Sequence, residues 1–210
     1  MRLYPCVDAV SRPLMNNLYR IRHLGSDRVP ASGPVVLAAN HESVLDPWFL
    51  GTVTPRPVHF FAKAELFRYP PLREILQGLG GIPVRRGADM GRAFEAGVEA
   101  LGRGEALGIF PQGTCLPYRH RPFRRGAARL ALATGATLVP VLLVGTERSI
   151  QPRTHRIGFP RVTIAVADPI AVARQDPTRT AAIDLTDRLE QAVAGLREPY
   201  GPPDHAWFDA

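Results

Sequence analysis

His41 and Asp46, in the segment NHESVLDP at residues 40–47, are the residues whose types and spacing point most directly to chemistry. A carboxylate that accepts a hydrogen bond from one imidazole nitrogen fixes the tautomer and leaves the other nitrogen as a base for a hydroxyl proton. The segment directly follows an apolar run, and on a strand-to-helix turn this spacing brings Asp46 back beside His41. A turn histidine followed by a helix-capping aspartate fits the same letters, so spacing alone leaves both readings open. Two further polar sites also follow apolar runs: Arg85-Arg86 after IPV, and Gln112-Gly113-Thr114 after GIFP. A guanidinium fork matches phosphate oxygens, and successive backbone N–H groups around Gly113 add donors. A solvated arginine pair and an ordinary Pro-Gln-Gly turn are the plainer alternatives.

The elements that must position these groups read as alternating strands and helices. A weak amphipathic helix is expected over 5–20, started or kinked at Pro13, and 19–24 is too mixed to assign. ASGP at 31–34 reads as a turn before a buried strand, VVLAA at 35–39, and a short helix is expected from about Ser43. Then come a strand at 57–63, an interrupted helix, a short strand at 81–85, a helix over 89–103 and a strand at 106–110. After a long basic loop follow an Ala/Leu-rich helix, the buried strand TLVPVLLVG at 137–145, a strand at 161–170 and a closing amphipathic helix. This pattern predicts an α/β fold, a single domain with a mainly parallel central sheet flanked by helices. Such sheets present their binding crevice at the carboxyl ends of the strands, where all three polar sites fall. The expected organisation is an N-terminal amphipathic segment (1–34) packed on the domain or a membrane surface, a main domain (35–198) and a tail (199–210).

The 210 residues are 45% hydrophobic and 21% charged, with a formal charge of +7, which excludes disorder and collagen- or silk-like repeats. Lys63 is the only lysine beside 25 arginines. A basic balance favours phosphates, anionic headgroups or nucleic acid without choosing among them. No apolar run reaches the roughly 18 residues a membrane span needs, and the N-terminus lacks a secretory-signal pattern, so a cytoplasmic protein is expected. Cys6 and Cys115 form no metal-ligand spacing, and no metal is expected. The basic cluster RHRPFRR at 119–125 lacks the ordered aromatics of a nucleic-acid surface, and no Gly-x-Ser-x-Gly elbow marks a serine hydrolase.

Four ordered segments make the chain resemble the glycerolipid acyltransferase family, which includes the 1-acylglycerol-3-phosphate acyltransferases. Asn40, His41 and Asp46 match its first motif, and GGIPVRR, with Arg86 at the arginine position, resembles the second. FPQGTC at 110–115 resembles the third, and LVPV with Pro140 the fourth. The resemblance implies acyl transfer from a coenzyme A or acyl-carrier-protein thioester to a lysophospholipid hydroxyl, with no tightly bound cofactor, no acyl-enzyme and no nucleic-acid partner. His41 would be the base and Asp46 its orienting partner. Arg86, with Lys63 as a further candidate, would meet the acceptor phosphate, and Gln112, Gly113 and Thr114 would contribute to substrate binding. Gln112 replaces the family's glutamate and Cys115 its arginine. Either Arg119, Arg121, Arg124 or Arg125 supplies the missing cation, or the acceptor is a different, nonphosphate or glycolipid alcohol. A noncatalytic lipid-binding homologue would leave His41 and Asp46 unexplained. The amphiphilic substrate implies work in phospholipid biosynthesis at the cytoplasmic face of the cell membrane. Arg2, Arg12, Arg20 and Arg22 beside Leu3, Leu14 and Leu18 make the N-terminal helix a candidate contact.

Overall fold

The computed structural model describes residues 4–85, 90–114, 121–150 and 156–203. Seven strands form one sheet in the order β1-β7-β6-β2-β5-β3-β4, with β1 Arg22–Leu24, β2 Val35–Ala39, β3 Val58–Lys63, β4 Gly81–Val84, β5 Ala106–Ile109, β6 Thr137–Val144 and β7 Thr163–Val166. The six α-helices among the described residues are α1 Tyr4–Leu18, α2 Asp46–Gly51, α3 Pro70–Gly78, α4 Met90–Gly102, α5 Gly126–Thr134 and α6 Arg179–Arg197. Every strand pair is parallel except β6–β7.

The central strands are continuous apolar runs because helices cover the sheet on both faces. All five residues of β2 are buried. Val35, Leu37 and Ala39 face a core completed by Met15 of α1, Tyr19, and Phe49 and Leu50 of α2. Val36 and Ala38 face the opposite core, with Leu101 of α4, Ala127, Ala128 and Ala131 of α5, and Leu185 and Leu189 of α6. The small side chains of α5 allow it to lie close on the sheet, which explains its alanine content.

Four details depart from the sequence expectations, each for a local reason. Residues 22–24, in the unassigned stretch, form an edge strand whose mixed polarity suits its half-covered position. The α1 helix runs through Pro13 instead of starting there. The α2 helix starts at Asp46, because that side chain accepts the backbone N–H groups of Glu42 and Ser43 and holds 42–45 as a turn. The last strand is shorter than 161–170. The β6–β7 register aligns Val141 with Val166, but the next bridge aligns Leu138 with Ile170, so one extra residue bulges from the chain after β7. Pro140 lies at this bulge. Having no N–H to donate, it is tolerated in a central strand where the ladder is already interrupted, and its carbonyl accepts from Ala167 N at 3.0 Å.

No helix among the described residues is long and apolar enough to cross a membrane. The α1 helix is fastened to α2 by Arg12, whose guanidinium donates to the carbonyls of Gly51, Thr52 and Thr54 while Asp8 holds it in place. Carbonyls at a helix C-terminus lack intrahelical partners, and a cation satisfies both their hydrogen bonds and the helix dipole.

Candidate active site

Strands β2 to β6 are mutually parallel, so their carboxyl ends share one edge of the sheet. Asn40 and His41 leave β2. On one side stands β5, followed by Phe110 to Thr114, then β3 ending in Lys63, then β4 followed by Arg85. On the other side stands β6, followed by Glu147 and Ser149. With neighbouring strands about 4.8 Å apart, β3 lies about 10 Å and β4 about 14 Å from β2.

The His41–Asp46 pair forms. Nδ1 of His41 lies 2.9 Å from Asp46 Oδ2. That oxygen also accepts Glu42 N at 2.6 Å and Ser43 N at 2.7 Å. A carboxylate oxygen serving three neighbours accepts from all of them, so Nδ1 carries the hydrogen and Nε2 keeps its lone pair. The Asp46 side chain is 0% exposed and that of His41 16%, so the orienting group is sealed while the imidazole retains access to solvent.

The imidazole stacks on Phe110, with ring centroids 4.2 Å apart and planes 22° from parallel. Phe60, from β3, stacks in turn on Phe110 at 6.4 Å. Phe60 reaches this place across its register partner Gly108, where an added Cβ would lie 2.1 Å from the Phe60 ring. A glycine covered by a cross-strand aromatic therefore supports the ring that stacks on His41. Gly108→Ala is expected to cost about 1–3 kcal/mol through overpacking. Chemical denaturation would show a lower midpoint with an unchanged slope; an unchanged midpoint would mean that Phe60 moves aside freely.

Asn40 has a structural role. Its side chain accepts Leu143 N at 2.7 Å and donates to Leu143 O at 2.9 Å, reproducing a backbone pair that pins the end of β2 to β6. Ser149 Oγ donates to Thr146 O at 2.7 Å, so in its 2.6 Å contact with Ser43 the latter is the donor. These buried contacts fix the turn between His41 and Asp46.

The sequence-selected binding residues separate into groups. Gln112 Oε1 accepts the backbone N–H of His41 at 2.5 Å, which commits that oxygen to holding His41 in place. Gly113 closes a tight turn, donating its N–H to Phe110 O at 2.9 Å with φ at +74°, with Pro111 at the position where its fixed φ suits the turn. Thr114 follows it, half-buried. Lys63 is exposed at the end of β3. Arg86, Cys115 and Arg119 lie outside the described residues. Arg124 comes to the turn: its backbone N–H donates to Pro111 O at 3.0 Å, and its guanidinium would lie 3.2 Å from a Cβ at Gly113. Among the described residues no group of three or more His, Cys, Asp or Glu side chains is arranged to hold a metal ion.

Sequence reasoning gave no role to Phe110, Glu42, Glu147 or Arg197. Phe110 carried a signal, since it opens the FPQG turn beside His41. The other three meet only through the tertiary fold.

Known proteins resemble the chain in sequence and in fold. A family model described as Acyltransferase matches residues 20–144, more than half of the chain. A 1-acyl-sn-glycerol-3-phosphate acyltransferase of Borreliella burgdorferi is 32% identical over 130 residues, covering 59% of this chain and 50% of that protein. Its counterpart from Bacillus subtilis is 30% identical over 126 residues, covering 60% of this chain and 63% of that protein. The matches thus span half to under two thirds of these relatives' length. The crystal structure of the 1-acyl-sn-glycerophosphate acyltransferase of Thermotoga maritima superposes with a TM-score of 0.70 at 22% identity, covering 96% of this chain and 86% of that one, so the fold is shared.

Proposed function

The chain belongs to the Acyltransferase family, and from that premise we propose that it transfers a fatty acyl group from a coenzyme A or acyl-carrier-protein thioester to the hydroxyl of a lysophospholipid, with 1-acylglycerol-3-phosphate as the acceptor. The observation that carries this reading is the 2.9 Å contact of His41 Nδ1 with the buried Asp46 carboxylate, which leaves Nε2 as a base at the sheet edge. Nε2 takes the acceptor's hydroxyl proton as its oxygen attacks the thioester carbonyl. Asp46 favours the imidazolium that results. The tetrahedral intermediate then expels the thiolate, which takes the proton from His41. One C–O bond forms, one C–S bond breaks, and the hydroxyl proton ends on the released thiol. No covalent acyl-enzyme is needed.

Lys63, Arg86 and Arg124 are the residues we propose for the acceptor phosphate. For Arg124 the support is its guanidinium over the Gly113 turn, and for Lys63 its exposed position two strands from His41. Gln112, Gly113 and Thr114 act as the wall of the site, with Gln112 holding the base in place. The reaction is proposed to take place with the protein bound peripherally at the cytoplasmic face of the membrane. Supporting this, α1 turns outward an apolar stripe, with Val10 70%, Leu14 58% and Leu18 39% exposed. Val44 and Trp48 of the α2 region are exposed as well. Such a stripe beside basic residues suits an anionic interface.

An acceptor screen tests the proposal. Purified protein is given long-chain acyl-CoA or acyl-carrier protein with lysophosphatidic acid, lysolipids of larger headgroup, or neutral lipid alcohols, all presented in anionic vesicles. The reading predicts a kcat/KM at least about tenfold higher for lysophosphatidic acid, the scale of one charge-assisted contact. Equal or better use of neutral alcohols would replace the phosphate acceptor with a nonphosphate one. Protein that fails to sediment with the vesicles would remove the membrane part.

A further inference from the structure

We propose that residues 156–161 form a second membrane anchor, which seats the carboxyl edge of the sheet on an anionic bilayer. The anchor rests on the membrane part of the proposed function and is independent of acyl transfer. The segment lies in the connection from β6 to β7. Because β7 runs antiparallel to β6, that connection crosses the carboxyl edge of the sheet, where His41 stands.

Ile157 is 63% and Phe159 49% exposed. Single exposed hydrophobic residues are ordinary, but these two extend a larger surface. Phe159 packs on Tyr19 with ring centroids 5.6 Å apart. Tyr19 directly follows Leu18, the end of the exposed stripe of α1 that also holds Val10 and Leu14. The apolar surface of α1 thereby continues onto the segment before β7. Arg20 and Arg22 follow Tyr19, Arg156 and Arg161 bracket Ile157 and Phe159, and all four arginines are exposed. Neither residues 9–26 nor residues 148–162 contain an aspartate or glutamate. An apolar surface bordered by charge of one sign matches an anionic bilayer, whose hydrocarbon takes the apolar side chains while its headgroups take the guanidiniums.

The segment is fixed at several points. Ile157 forms an antiparallel bridge with Ile150, and Gly158 N donates to Ser149 O at 2.9 Å. Val162 N donates to Tyr19 O at 3.0 Å. Apolar groups already held in place lose little conformational entropy on entering the bilayer. Ser149 also accepts from Ser43 Oγ at 2.6 Å, so the anchor and the turn between His41 and Asp46 meet at one buried residue. Val44 of that turn is 65% exposed. The α1 stripe alone would let the protein lie flat on that helix. Adding residues 156–161 and Val44 at the sheet edge turns His41 toward the lipid.

The test is flotation with vesicles of phosphatidylcholine plus phosphatidylglycerol, and of phosphatidylcholine alone, with no acyl donor or acceptor present. Ile157→Ser should fold, since the side chain is mostly exposed, and should weaken binding to the anionic vesicles roughly five- to thirtyfold. Arg156→Gln and Arg161→Gln should each weaken binding to the anionic vesicles about fivefold and leave binding to the neutral ones unchanged. An environment-sensitive fluorophore attached at Ile157→Cys, in protein carrying Cys6→Ser and Cys115→Ser, should shift to the blue when anionic vesicles are added. Unchanged affinity in Ile157→Ser, or no fluorophore shift while the protein is bound, overturns the anchor and leaves α1 as the contact. A blue shift that appears with rising protein concentration and no lipid assigns the surface to a second copy of the chain and overturns the anchor as well. Parent protein that binds neither vesicle overturns the anchor together with the membrane part of the proposed function. The expected losses in a protein that transfers no acyl group would sustain the anchor and overturn the acyl-transfer reading alone.

Discussion

His41→Ala is expected to lower kcat for acyl transfer by about 10²–10⁴-fold, the range supplied by a positioned general base. The fold should persist, because the side chain is partly exposed and its removal leaves Asp46 Oδ2 still accepting the Glu42 and Ser43 N–H groups. Phe110 loses a stacking partner, worth about 1 kcal/mol. Far-ultraviolet circular dichroism and thermal unfolding check the fold, and steady-state kinetics with saturating donor and acceptor check the rate. In the proposed mechanism the imidazole acts on the proton in flight, so the loss belongs in kcat and not in KM. A folded variant within about threefold of the parent would remove His41 from the role of base.

Asp46→Asn is expected to be nearly as damaging, for a different reason. Two backbone N–H groups point at Oδ2, so the amide oxygen of asparagine would take that place and still accept from His41 Nδ1. Its NH₂ group would replace Oδ1, a buried atom without a hydrogen-bond partner among the described residues. The tautomer survives, and the negative charge that favours the imidazolium is lost. A fall of about 10–10³-fold in kcat is expected, the scale of losing one close opposite charge. Asp46→Ala is a poorer probe, because it leaves both N–H groups buried and unpaired at about 1–3 kcal/mol each. A folded Asp46→Asn with near-parental kcat would show that the charge of Asp46 does not support His41.

The parts of the molecule legible in the sequence are those whose physics is local. VVLAA and TLVPVLLV read as buried strands because a strand covered on both faces has no polar side to show. His41 and Asp46 could be paired on paper because one turn closes between them. The direction of β7 could not be read, since alternation along a strand is the same whether it runs with or against its neighbour. Gln112 was legible as a site residue but not in its role. Nothing in FPQGTC tells that its side-chain oxygen turns back onto the amide of His41, 71 positions away in the chain. The Glu42, Glu147 and Arg197 cluster was least legible. Each letter alone reads as a surface charge, and only the packing of α6 on the end of β6 brings half-buried Arg197 to the end where Glu42 and Glu147 are buried. Gly108 needed tertiary structure as well, because its lack of a side chain has meaning only once Phe60 lies across it.

The most direct test of the central claim is to measure, in one reaction, the thiol released from the acyl donor and the acylated lipid formed on lysophosphatidic acid. Base-catalysed transfer to an alcohol predicts one thiol per acylated lipid, dependence on acceptor, and loss of both products in His41→Ala. Release of thiol with free fatty acid irrespective of acceptor, or no acylated lipid from either acyl-CoA or acyl-carrier protein, would contradict it.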